Sequence, residues 1–112
     1  MSIFVRARFE VGAERRREFE ELVRALRKQA ADEPGTSTFR FFSAGPGSYL
    51  VLEEYTDPQA AAAHNERAAA LLAGVTRCAE LLGIELYGDI GPELGEWART
   101  QPRATTYPEL PL

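Results

Sequence analysis

The sequence has little of the chemistry that marks metalloproteins, disulfide-rich proteins or membrane proteins. Its one cysteine, Cys78, leaves no internal disulfide, and one cysteine with one histidine makes no ligand cluster for a metal ion. No apolar run approaches the ~20 residues of a membrane-spanning helix. The alternating N-terminal segment carries a charge at Arg6 and is too short and too charged for a signal peptide. We therefore expect a cytoplasmic protein with no membrane partner.

An excess of basic residues is also missing. The chain has 13 Lys and Arg against 17 Asp and Glu, which gives a net charge of −4. A surface that binds nucleic acid usually carries a basic excess, so we expect no nucleic-acid partner. The 112 residues, 45% of them hydrophobic, fit one small domain.

Hydrophobic periodicity predicts the order β-α-β-β-α-β. Apolar residues alternate in the predicted strands, whereas in the predicted helices they recur every three to four positions. The predicted strands span residues 3–11, 36–44, 48–56 and 84–90, and the predicted helices span residues 13–32 and 58–82. Asp57 and Pro58 are a strong helix start. Gly74 marks a bend or restart in the second helix, and Gly83 is its candidate C-terminal cap.

This order is typical of a ferredoxin-like α+β fold, in which a four-stranded antiparallel sheet carries both helices on one face. We assign residues 1–91 to this domain. Residues 92–112 contain four of the seven prolines and form a proline-rich C-terminal extension. A helical turn is expected at residues 93–99 with Trp97 as its anchor, and the rest of the extension is expected to be extended.

The predicted sheet is apolar on both faces, although its helices cover only one. The uncovered face combines apolar and charged side chains: Phe4, Phe42, Leu50 and Leu52 with Arg6, Arg8, Arg40 and Glu54. Exposed apolar patches of several hundred Å² usually mark an interface, and covering one contributes several kcal/mol at ~25 cal/mol per Å². We therefore expect a homodimer in which two sheets pack face to face. The three arginines are expected to form charge pairs with Glu54 inside that interface.

Several motifs resemble the antibiotic biosynthesis monooxygenase family. They are Glu33-Pro34-Gly35 after the first helix, the following hairpin, the pattern Glu53-x-Tyr55-x-Asp57, and Ala63-His64 in the next helix. The resemblance covers roughly residues 3–90 and implies a dimeric α+β barrel. The family often has tryptophan at the position of Tyr55.

The resemblance implies a monooxygenase that oxidises a phenol, hydroquinone or anthrone of polyketide type with O2, without flavin, haem or metal. Such a site needs a dry cavity, donors that hold the substrate anion, and a base. We expect His64 and Tyr55 to be the catalytic residues, because histidine accepts protons near neutral pH. The expected substrate-binding residues are Tyr49, Val51, Phe39 and Phe41.

Each candidate also has a purely structural interpretation. His64 is equally well explained as a hydrogen-bonded core residue, and Tyr49 and Tyr55 as core residues whose hydroxyls reach solvent. Glu53 is better explained by a salt bridge at the rim or strand end. Cys78 is expected to be a small core residue, and Trp97 and Tyr107 are expected to anchor the C-terminal extension.

Three other functions stay open on the same scaffold. A polyketide cyclase or isomerase would use the same acid and base without oxygen. A non-catalytic ligand-binding or accessory protein would retain a ligand without turnover. Haem degradation is the least favoured, because that branch of the fold places a ligating histidine further along the second helix, whereas residues 71–75 contain none.

Overall fold

The computed structural model describes all residues from 1 to 112. The strands are β1 (Ile3–Glu10), β2 (Thr36–Gly45), β3 (Ser48–Tyr55), β4 (Glu80–Tyr87) and β5 (Ala104–Tyr107). The helices are a short 3₁₀ helix (Ala13–Arg15) and α1 (Arg16–Ala30), α2 (Pro58–Arg67), α3 (Ala69–Cys78) and α4 (Gly91–Arg99). None of them combines the length and the apolar composition that crossing a bilayer requires.

The sheet confirms the ferredoxin-like α+β fold but has five strands rather than four. Its order is β2-β3-β1-β4-β5, and every neighbouring pair is antiparallel except β4 with β5. The fifth strand was missed because residues 104–107 are short and lie among prolines. Parallel pairing holds it against β4, with Ile84 opposite Ala104 and Tyr87 opposite Tyr107.

The prediction of one helix from 58 to 82 was wrong in two respects. The helix breaks at Ala68 rather than at Gly74, and residues 80–82 already belong to β4. Ala68 is fully buried, and this change of direction brings α3 against α1. Gly74 instead permits close packing, since a methyl group there would lie 3.0 Å from a methyl carbon of Leu22. Gly83 lies within β4 and caps no helix.

The core between sheet and helices consists of two apolar clusters. The first contains Ile3, Val5, Tyr55, Ala61, Leu86, Ile90 and Ala98. The second contains Val11, Phe19, Leu26, Ala68, Val75 and Cys78, with Phe39 and Phe41 packed against it. The prediction that Cys78 is a core residue is confirmed. Residues of both clusters line one large cavity, which therefore lies between them.

The opposite face of the sheet carries no helix, as predicted. Phe4, Phe42 and Leu52 are 46, 40 and 38% exposed there. Arg6 pairs with Glu85 at 2.7 Å rather than with Glu54, which accepts a hydrogen bond from Thr38 instead. The guanidinium of Arg40 lies 5.1 Å from the centre of the Phe42 ring. Glu85 lay within the predicted strand 84–90, but it was not weighed as a partner for Arg6.

Candidate functional site

The cavity between sheet and helices has a volume of about 1050 Å³. Sites for small molecules usually occupy about 300–1,000 Å³, so this cavity lies just above that range. Most of its lining is apolar, and strands β1 to β4 form its floor while α2, α3 and α4 form its walls. Its polar side chains include Glu53, Tyr55 and His64. The other polar residues of the lining are Gln59, Asn65, Glu66, Thr76, Glu93 and Gln101.

His64 lies at the wall of the cavity on α2 and is held by an acidic partner. It is 2% exposed, and its Nδ1 lies 2.7 Å from Oε1 of Glu33, in the turn after α1. The same Glu33 oxygen accepts a hydrogen bond from Thr36, and Arg67 lies 3.4 Å from the other oxygen. An Nδ1–H that donates to Glu33 leaves Nε2 as the proton-accepting nitrogen of the ring.

The environment of Glu33 favours its charged form. Burial alone would raise its pKa, but the hydrogen bonds from His64 and Thr36, together with the charges of His64 and Arg67, lower the pKa overall. Glu33 therefore remains a carboxylate that can orient His64 and stabilise an imidazolium. From the sequence, Glu33-Pro34-Gly35 was used only as a motif of the family resemblance, and this role of Glu33 was missed.

A second acidic group, Glu53, lines the cavity itself, whereas Glu33 is not part of the lining. The hydroxyl of Tyr55 donates a hydrogen bond to the Glu53 carboxylate. Burial raises the pKa of Glu53, and the Tyr55 hydrogen bond and the charge of His64 only partly offset this effect. Burial, with the adjacent charge of Glu53, also raises the pKa of Tyr55, so its hydroxyl stays protonated. Glu53 makes no salt bridge, contrary to the sequence-based interpretation.

The predicted site residues fall into two groups. Phe39, Phe41, Val51, Tyr55 and His64 all line the cavity. The ring centres of Phe39 and Tyr55 lie 5.0 and 5.5 Å from that of His64.

Tyr49 does not join the other predicted site residues. Its hydroxyl donates to Glu20 of α1 at 2.8 Å, and its ring packs on Phe19. Tyr49 instead borders a separate small surface pocket of about 210 Å³.

The C-terminal residues add a cavity wall that was not predicted. Helix α4 contributes side chains that include Leu94 and Trp97, and Gln101 follows it. The helical turn predicted at residues 93–99 is confirmed as part of α4, but its contact with the cavity was not predicted. No group of three or more His, Cys, Asp or Glu side chains converges as a metal site requires.

Replacing Glu53 with glutamine is expected to stabilise the protein at neutral pH. The folded state binds the Glu53 proton more tightly than the unfolded state, whose pKa is 4.5. The protonated carboxyl group therefore contributes stability below pH 4.5, and this stability is lost as pH rises through the raised pKa of the folded state. Each pKa unit of such a shift corresponds to about 1.4 kcal/mol. Glutamine keeps an acceptor for Tyr55 without the charge. Urea unfolding at pH 4 and pH 7 measures the effect, and a variant less stable than wild type at both values would contradict it.

This fold and cavity define a small α+β protein with two hydrogen-bonded acid–base pairs around an apolar chamber. The family profile for antibiotic biosynthesis monooxygenase matches residues 2–73, and the chain belongs to that family. Proteins of this family are typically dimers. No curated protein matches the sequence significantly.

Several solved structures share the fold. MupZ from Pseudomonas fluorescens superposes with a TM-score of 0.80 at 18% identity, over 99% of this chain and 92% of its own. SnoaB from Streptomyces nogalater, described as a cofactor-independent oxygenase, gives a TM-score of 0.66 at 17% identity, over 76% of this chain and 89% of its own. A Caulobacter crescentus protein, provisionally assigned as an antibiotic biosynthesis monooxygenase, gives 0.65 at 27% identity, over 76 and 86%.

Proposed function

We propose that this protein is a cofactor-independent oxygenase that oxidises an anthrone-type or hydroquinone-type aromatic substrate with O2 in the large cavity. The single observation that carries the proposal is the pairing of His64 with Glu33 at the wall of a largely apolar cavity that a second acid, Glu53, also lines. Family membership and the likeness to SnoaB, a cofactor-independent oxygenase, support the reaction class.

His64 is the proposed base. Its Nε2 removes a proton from the substrate, and the Glu33 carboxylate stabilises the imidazolium that forms. The resulting aromatic anion is rich in electrons and reduces O2 directly. For an anthrone, the CH2 carbon gains one oxygen atom as a carbonyl, and the other oxygen atom leaves as water.

Glu53 is the proposed acid. Its raised pKa keeps a proton on the carboxyl group in a larger share of molecules, and the Tyr55 hydroxyl fixes its position. A protonated Glu53 can donate to the oxygen that leaves as water. The pKa values of the two carboxyl groups are thus shifted in opposite directions. The lowered pKa of Glu33 suits the charged partner of the base His64, and the raised pKa of Glu53 suits a proton donor. Phe39, Phe41 and Val51 exclude water from the anion.

The Glu53–Tyr55 pair also favours a second candidate, a polyketide cyclase or isomerase. Protonation of a carbonyl by Glu53 and removal of a C–H proton by His64 would enolise a substrate without any oxygen. This reaction uses the same residues, so it differs from oxygenation only in its requirement for O2.

Oxygen consumption with a panel of anthrones and hydroquinones tests the proposal. We expect uptake above the buffer rate for at least one anthrone, with one quinone formed per O2 consumed. Turnover that persists under argon would favour the cyclase or isomerase instead. A ligand that stays bound to the protein through purification, with no turnover in air or under argon, would indicate a binding protein and contradict both reactions.

We further propose that two copies pack through the open sheet face as a homodimer. The exposed side chains of Phe4, Phe42 and Leu52 give this face its apolar area. The ion pair between Arg6 and Glu85 adds charged groups beside that area. Burial of these side chains in an isologous interface would close the dimeric barrel expected for the family.

A further inference from the structure

We infer that Trp97 forms a subsite that selects substrates with several fused aromatic rings. The inference rests on the proposed function, because the subsite belongs to the same cavity, but it concerns the part of the substrate that does not react. Trp97 lies on α4, lines the cavity and remains 41% exposed. An indole face that borders an apolar chamber is a stacking platform for a flat ring system.

Helix α4 holds this indole in a fixed place. Leu94, Ala98 and Gln101 are spaced by about one helical turn, and Ala98 is buried in the first apolar cluster while Leu94 packs against it. Downstream, β5 pairs with β4 and ties the end of the segment to the sheet. The cavity wall is therefore anchored on both sides of Trp97 rather than formed by a loose tail.

The size of the chamber favours a large ligand. A single aromatic ring fills only a small part of about 1050 Å³. The aromatic side chain Phe39 lies beside His64, whereas Trp97 belongs to the wall that α4 adds. A substrate with one ring can contact His64 without any contribution from α4, whereas fused rings extend to a second aromatic surface. The wall lies beyond the segment that the family profile matches, which ends at residue 73.

Binding of a tricyclic and a monocyclic ligand tests the subsite. The probes are 1,8-dihydroxyanthraquinone, already oxidised and therefore not turned over, and 1,3-dihydroxybenzene, which has one ring. Trp97 is the single tryptophan, so quenching of the intrinsic fluorescence reports directly on contact in wild type. Calorimetry gives Kd for the variants. We expect Trp97→Ala to raise Kd for the tricyclic probe about tenfold or more and to change Kd for the monocyclic probe less than threefold.

Two further variants separate stacking from structural damage. Trp97→Phe retains an aromatic face and is expected to restore most of the affinity for the tricyclic probe. Gly95→Ala changes the same helix at a position where an added methyl group meets no atom within 4 Å, and should leave both affinities unchanged. Equal losses for both probes in Trp97→Ala, no loss, or no binding of the tricyclic probe by wild type would overturn the inference.

The outcome is separable from that of the oxygenase proposal. Tight, Trp97-dependent binding of the tricyclic probe, with no oxygen uptake from any anthrone, would remove the oxygenase and leave the subsite in place. Oxygen uptake with an anthrone at an unchanged KM in Trp97→Ala would remove the subsite and leave the oxygenase.

Discussion

Replacement of His64 by alanine is expected to lower kcat for an anthrone substrate by about 10²- to 10⁴-fold, the usual contribution of a positioned general base. The structure gives the reason: Nδ1 is engaged with Glu33, so Nε2 is the ring nitrogen that can receive a substrate proton. The affinity for a non-reacting tricyclic ligand should change much less, because the apolar lining remains. Stopped-flow or electrode measurements of oxygen uptake determine kcat and KM separately.

The controls for this variant distinguish chemistry from folding. Added imidazole should restore part of the rate to His64→Ala by occupying the vacated space. Glu33→Gln keeps the shape of the partner but loses its charge, and we expect a reduced kcat with little change in KM. Tyr49→Phe, which removes a hydroxyl bonded to Glu20 outside the cavity, should retain the wild-type rate, whereas Tyr55→Phe should not. A folded His64→Ala protein with kcat within threefold of wild type would contradict the assignment.

Replacement of Leu52 by arginine is expected to convert the proposed dimer into a folded monomer. Leu52 lies opposite Arg6 on β1 and Arg40 on β2, so the variant places a third positive charge among two others on the open face. In a symmetric interface the substitution occurs twice. Two unpaired buried charges at about 3 kcal/mol each correspond to roughly 10⁴-fold in Kd. Sedimentation velocity at micromolar concentration measures the change in mass.

A matched variant controls for the added charge. Ala31→Arg lies at the exposed C-terminal end of α1, on the other side of the sheet, where a positive charge also suits the helix dipole. It should leave the dimer mass unchanged. If wild type sediments as a monomer, or if Leu52→Arg remains a dimer, the open face is not the interface.

Much of the fold followed from periodicity. The alternation in β1, β2 and β3 and the single apolar stripe of α1 are local patterns, and the observed bounds agree with them to within a few residues. The prediction of the second helix was wrong because the bounds of that helix depend on tertiary contacts. Residues 60 to 82 are rich in alanine and leucine and mostly favour helix, and packing of α3 on α1 and pairing of β4 with β1 decide where the helix breaks and ends.

The site was predictable only in part. His64 and Tyr55 were visible because they are rare polar groups on apolar stripes, and the structure brings both to the cavity. Glu33 lies 31 positions before His64, and no sequence pattern shows that the turn after α1 meets α2. Tyr49 and Tyr55 share a strand face, but six residues of strand separate them by about 20 Å, enough for different surroundings.

The division of the apolar interior into two clusters has a thermodynamic consequence. Side chains that line the cavity between them have fewer protein contacts than side chains in a continuous core. A ligand that spans this cavity supplies further contacts, and by mass action its affinity adds to the free energy of unfolding. Substrate and polypeptide then share one hydrophobic interior, which neither completes alone.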